Sequence, residues 1–163
     1  MFDRKIFKFL SGLAFALGSM FAQTAIAAGM PYDETADARL ELQQALTASA
    51  GDHKPVLVIF GANWCKDCRS LDTSLKTEKN AGLIAQEFRV VKIDVGNFNR
   101  NLEIDRAYGD PIKKGIPAAV VLSPGNRVLY ATRAGELADA RRMSDDGVYG
   151  FFKAAVAKAQ AGR

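Results

Sequence analysis

The chain has 163 residues, 48% apolar and 25% charged, a balance that suits one soluble globular domain around a single buried core. Its net charge is +4, and because three of its 22 basic and one of its 18 acidic residues lie in residues 1–27, the remainder carries only +2. So small an excess argues against a nucleic-acid or anionic-membrane partner.

Residues 1–27 have the pattern of a secretory signal peptide. Asp3, Arg4, Lys5 and Lys8 form a net positive head, an apolar run follows over 9–22, and Ala25 and Ala27 are placed as an A-x-A cleavage signal. The apolar run is shorter than the roughly 18–20 residues that span hydrocarbon. Cleavage near Ala27 is therefore expected, with no stable membrane insertion afterwards and a periplasmic or otherwise exported product. No cysteine lies near the cleavage point to accept a lipid.

Residues 28–35 read as an irregular segment and 36–163 as one domain without repeats or linkers. A helix is expected over 36–50, with Gly51 as its stop. Pro55 then opens VLVIFGA, a continuous apolar run rich in β-branched residues that suits a strand covered on both faces. Helical patterns over 65–77 and 81–88 lead into a second strand at 89–95, and a short helix is expected over 99–108 before the breakers Gly109, Pro111 and Gly115. Strands at 117–122 and 127–133 flank Ser123, Pro124, Gly125 and Asn126, which read as a hairpin turn. The last helix is expected to start near Ser144, whose hydroxyl can cap it. Strands alternating with helices, then a hairpin and a helix, indicate an α/β architecture.

The chemistry lies in GANWCKDCRS, residues 61–70, which holds both cysteines of the chain. Cysteines at i and i+3 lie on one side of a helix's first turn, near enough for a disulfide, and the free N–H groups and dipole there favour a thiolate at the first position. Cys65 therefore has a physical reason to be acidic and nucleophilic. Cys68, one turn inward, can attack a mixed disulfide at Cys65 and release the reduced partner. Zinc wants four ligands, and His53 is the one histidine available beside the two cysteines; haem attachment needs histidine where Arg69 stands. No metal and no organic cofactor is expected beyond the redox-active disulfide Cys65/Cys68. A purely structural disulfide is the remaining alternative, although so short a loop constrains little of the unfolded chain.

PVLVIFGANWCKDC at 55–68 and KKGIPAAVVL at 113–122, with the spacing between them, closely resemble the thioredoxin superfamily, in particular its exported bacterial thioredoxin-like members. The resemblance covers roughly 36–160. It implies a thioredoxin fold, a central mixed sheet flanked by helices with a C-terminal β-hairpin and helix. It also implies an exposed nucleophile Cys65, a buried resolving thiol Cys68, and a cis Ile116–Pro117 peptide facing them. Gly115, Ile116 and Pro117 would then offer a backbone edge to an extended substrate, with Trp64 as apolar contact. Simple packing is the competing reading of Trp64.

The departures from the family are informative. The family's buried strand aspartate, six residues before the first cysteine, is replaced by Ile59, so Lys92, which resembles the family's strand lysine, is expected to lack its partner and be solvated. Between the cysteines, Lys66 should lower a thiol pKa and Asp67 raise it, so their effects offset. The stretches 96–115 and 135–143 are longer than in a minimal thioredoxin and read as neutral loop variation, with a role in partner choice as the alternative. The chain has no room for the large helical insert of bacterial disulfide-forming oxidases. The resulting expectation is an exported thiol:disulfide oxidoreductase that mainly reduces protein disulfides and is itself re-reduced by a membrane-embedded electron donor. A disulfide-donating oxidase and a noncatalytic peptide-binding module are the alternatives.

Overall fold

Six consecutive buried residues make the central strand β1 (Val56–Gly61), and the computed structural model, which describes residues 29–162, builds the sheet around it. Alternate side chains of β1 point to opposite faces. Val56, Val58 and Phe60 enter one apolar cluster with Leu42, Ile104 and Tyr108, while Leu57 and Ile59 enter another with Leu71, Ile84, Val148 and Phe152. Each such fully buried side chain contributes about 1.5–3 kcal/mol. A strand with that burial on both faces has to be internal.

β1 pairs in parallel with β2 (Arg89–Asp94) and antiparallel with β3 (Ala118–Leu122), which pairs antiparallel with β4 (Val128–Ala131). The result is a mixed sheet in the order β2-β1-β3-β4. Helices α1 (Ala38–Asp52) and α4 (Leu102–Ala107) supply one cluster, α3 (Glu78–Glu87) and α5 (Asp145–Ala161) the other, and α2 (Lys66–Leu75) gives Cys68 to the first and Leu71 to the second. This is the expected α/β architecture, with the hairpin and helix last.

The boundaries differ where side chains decide them. Asp37, not residue 36, starts α1, because its carboxylate accepts from the N–H groups of Arg39 and Leu40 at 3.1 Å, a cap that contributes about 1 kcal/mol. Gly51 lies inside α1; the stop is His53, left-handed at φ 62°, whose N–H donates to the Ser49 carbonyl at 2.8 Å. The helix expected over 81–88 begins earlier, at Glu78, after Thr77. The short helix expected over 99–108 shrinks to α4, because Gly96, Phe98 and Asn101 all take positive φ and a helix cannot run through them.

The two longer stretches carry structure of their own, 3₁₀ turns at Pro111–Lys114 and Ala140–Arg142. Among the described residues no regular element precedes α1, yet Tyr32 there is buried. The expected signal peptide, residues 1–27, lies outside the described residues. No helix among the described residues is long and apolar enough to cross a membrane.

Candidate active site

Beyond Gly61 the chain leaves the sheet and turns within three residues into α2. Cys65 N–H donates to the Ala62 carbonyl at 3.1 Å, and Arg69 of α2 reaches back to the Asn63 carbonyl at 2.7 Å. Cys65 is the N-cap residue of α2, and its Sγ accepts from the Cys68 N–H at 3.1 Å. That sulfur sits at the positive end of the helix dipole, where negative charge is most favoured. Cys65 and Cys68 form a disulfide with Cα atoms 5.2 Å apart.

Cys68 is buried at 1% exposure, and Cys65 at 4% corrects the expectation of an exposed nucleophile. The cover is the segment before β3: the Ile116 carbonyl oxygen lies 3.5 Å from Cys65 Sγ, and the Ile116–Pro117 peptide is cis. Gly115 precedes it at φ 113°, a conformation that side chains rarely adopt, and a Cβ there would come within 3.0 Å of Ala138 Cβ. Gly115, Ile116 and Pro117 are thus brought to the disulfide as one edge.

Trp64, next to Cys65 in the chain, is 53% exposed. Its indole N–H donates to the Gly96 carbonyl at 2.9 Å, and its ring meets Phe98 edge to face with centroids 6.0 Å apart. From Phe98 an open groove of about 540 Å³ runs past Leu102, Arg106, Ile112 and Lys113 to Gly115. Residues 96–115 therefore build a wall of the site. Sequence reading missed Phe98; its signal was a lone aromatic among Asn and Gly in a region of extra length.

The charged residues are placed differently from expectation. Lys66 is exposed. Asp67 is tied down: its Oδ1 accepts from the Arg141 N–H at 3.0 Å, with the Arg141 Nε at 3.8 Å. Asp67 thus has a partner of its own in Arg141, from the second 3₁₀ turn. Lys92 is neither solvated nor unpartnered, which corrects the expectation drawn from Ile59. It forms an ion pair with Asp72 of α2, which also binds Lys76 at 2.7 Å. Burial pushes the Asp72 carboxyl up, but hydrogen bonds from Lys76 and Lys92 outweigh it and hold the pKa below the ordinary value. Asp72 follows Cys68 by four residues and so shares its helix face. That spacing was the signal available in the sequence.

A disulfide at a helix start, one sulfur facing a backbone edge and the other enclosed, is arranged for stepwise exchange: attack at the outer sulfur, resolution by the inner one. Among the described residues no cluster of three or more His, Cys, Asp or Glu side chains is placed to hold a metal ion.

Comparison with known proteins agrees with this geometry. A family model described as thioredoxin-like matches residues 37–124. The crystal structure of a disulphide isomerase from Xylella fastidiosa Temecula1 is 58% identical, with 79% of this chain and 98% of that chain covered and a TM-score of 0.77. A DsbH oxidoreductase shares the fold at 17% identity and a TM-score of 0.54, with 92% of this chain and 95% of that one covered. No curated protein sequence matches. The chain belongs to the thioredoxin-like family, among its thiol:disulfide oxidoreductases.

Proposed function

We propose that the chain is exported and works from its dithiol form, reducing or reshuffling disulfides of other exported proteins. The observation that carries this reading is Cys65 Sγ at the N-cap of α2, accepting from the Cys68 N–H at 3.1 Å and facing the Ile116 carbonyl at 3.5 Å. A sulfur so placed is stabilised as a thiolate, and a thiolate is the attacking species. Cys65 attacks the substrate disulfide, and Cys68 resolves the mixed disulfide. Gly115, Ile116 and Pro117 hold the substrate backbone, and Trp64 contacts its apolar side chains.

Export is supported by the charge and hydropathy pattern of residues 1–27. In an oxidising compartment the dithiol has to be regenerated, and a membrane-embedded donor is the electron source we assign to it. The 58% identical relative bears the name disulphide isomerase, which favours reshuffling as a second outcome of the same attack.

Cys68→Ala tests the reading. It is expected to trap mixed disulfides through Cys65 and to abolish net reduction, while a reshuffling activity that needs only Cys65 survives. A variant that captures no thiol partner would remove the exchange reading and leave a peptide-binding module. A reduction potential near about −270 mV marks a reductant and one near about −120 mV an oxidant. An oxidant would also melt at a higher temperature after reduction than before it.

A further inference from the structure

One buried polar group outside the exchange pair lies beside a reacting sulfur. Tyr32, in the segment ahead of α1, is only 3% exposed. Asn63, two residues before Cys65, holds both of its backbone polar groups. The Tyr32 N–H donates to Asn63 Oδ1 at 3.0 Å, and Asn63 Nδ2 donates to the Tyr32 carbonyl at 2.8 Å and to Glu34 Oε1 at 2.9 Å. The loop that presents the disulfide thus also anchors the tyrosine.

Gly61 shows where the ring ends. A Cβ on Gly61 would stand 2.1 Å from Tyr32 Oη and 2.9 Å from Cys68 Sγ. The missing side chain leaves a slot that the phenol oxygen and the sulfur both border. Gly61 lies two residues beyond Ile59 and on the same face of β1. Ile59 is hydrocarbon, so the strand itself brings no polar group to this sulfur; Tyr32 brings one from outside the sheet.

We propose that Tyr32 is a positioning residue of the exchange reaction, its hydroxyl donating a hydrogen bond to Cys68 as that sulfur becomes a thiolate. The proposal rests on the exchange reading above. In the resolving step Cys68 gives its proton to solvent and its thiolate attacks Cys65 Sγ of the mixed disulfide. The bond between the two cysteines forms, the bond from Cys65 to the substrate sulfur breaks, and the electron pair leaves on the substrate thiolate, which takes a proton from solvent. Two electrons pass from the cysteines to the substrate, and Tyr32 keeps its own proton throughout.

The surroundings suit a donor that does not ionise. Burial first, then the charges of Asp72 and Asp94, raise the Tyr32 phenol well above its ordinary range. The charged groups around the pair are Asp72 with Lys76 from α2, Lys92 and Asp94 from β2, Arg100 at 3.1 Å from Asp94, and Glu34 beside Asn63. Burial and the two carboxylates disfavour a further negative charge in this slot, and a hydrogen bond from the neighbouring hydroxyl is the offset the proposal assigns.

The Cys65→Ser background leaves Cys68 as the sole thiol, whose ionisation is read from thiolate ultraviolet absorbance against pH. Adding Tyr32→Phe is expected to raise the Cys68 pKa by about one unit. In the chain with both cysteines, Tyr32→Phe should slow resolution of a preformed mixed disulfide about tenfold at neutral pH, while alkylation of Cys65 keeps its rate. A fluorinated, more acidic tyrosine at position 32 should move the Cys68 pKa downward, and it serves if Tyr32→Phe does not fold. An unchanged Cys68 titration in either protein overturns the proposal. A shifted titration in the Cys65→Ser background, together with a wild-type chain that exchanges no disulfide, would remove the exchange reading and leave the hydrogen bond standing.

Discussion

Lys92 of β2 and Asp72 of α2 form an ion pair that fastens the parallel edge of the sheet to the helix carrying the disulfide, one turn beyond Cys68. Asp72 is largely buried and retains Lys76 on its other side. Lys92→Met is expected to cost about 1–2 kcal/mol in urea unfolding at pH 7, because the carboxylate keeps one exposed partner and loses the enclosed one. Asp72 has a depressed folded pKa, so its contribution is complete above the unfolded carboxylate value of about 3.9 and is lost as pH falls through the folded one. The deficit of Lys92→Met should therefore shrink in acid. A deficit that stays constant with pH would show that the pair is not its source.

Asp105 shows the opposite sign. It is buried, and burial, with a smaller push from Asp110, raises its pKa although its Oδ1 accepts from the Ile112 N–H at 3.1 Å. A raised folded pKa means that the protein is most favoured with this group protonated, below the unfolded value, and loses that advantage as pH rises through the folded one. Asp105→Asn keeps the acceptor oxygen and removes the charge. Its melting temperature should exceed that of the wild type at pH 7 and converge with it in acid; equal melting temperatures at pH 7 would contradict this.

Phe98 tests whether residues 96–115 belong to the site. Phe98→Ala should lower kcat/KM for a disulfide-bearing polypeptide by about threefold to tenfold, the worth of one aromatic contact. The effect should fall on KM and leave the reduction potential where it was, since Phe98 touches Trp64 and not the cysteines. A changed potential with an unchanged KM would move Phe98 from substrate contact to redox tuning.

Arg141→Ala would remove the guanidinium whose Nε lies 3.8 Å from Asp67 and leave that carboxylate, two residues from Cys65, with the backbone N–H of residue 141 alone. The freed charge should raise the Cys65 pKa and slow its alkylation at neutral pH about twofold to threefold, and Asp67→Asn in the same chain should restore the rate. Failure of that rescue would mean that Arg141 acts through the 3₁₀ turn instead.

Gly61→Ala is expected to destabilise the protein by about 1–3 kcal/mol, because the new methyl group meets Tyr32 Oη at 2.1 Å and Cys68 Sγ at 2.9 Å. Thermal unfolding measures it. A variant as stable as the wild type would show that the Tyr32 ring does not fill the slot over Gly61.

How much was legible in the sequence follows the range of the forces involved. The strand before the cysteines, Cys65 at a helix start and the Ser144 cap of α5 are each set within a few residues, by burial on both faces or by a side chain bonding its own helix. The stop of α1 was misplaced because His53 took the left-handed turn that Gly51 was expected to supply. Phe98 and Asp72 carried only weak local marks, a lone aromatic and a four-residue spacing from Cys68, and Arg141 carried none, since each meets its partner only after the chain has turned.

The sequence by itself determined the α/β order and the exchange pair, because apolar run length and helix-start chemistry are local, whereas the edge at Gly115, Ile116 and Pro117 was expected from the family resemblance. Only the tertiary structure decided that Lys92 finds Asp72 across 20 positions, that Asn63 pins Tyr32 across 31, and that the phenol reaches the slot over Gly61. Such contacts depend on how α2, β2 and the N-terminal segment are laid against one another. No periodicity along the chain encodes that arrangement.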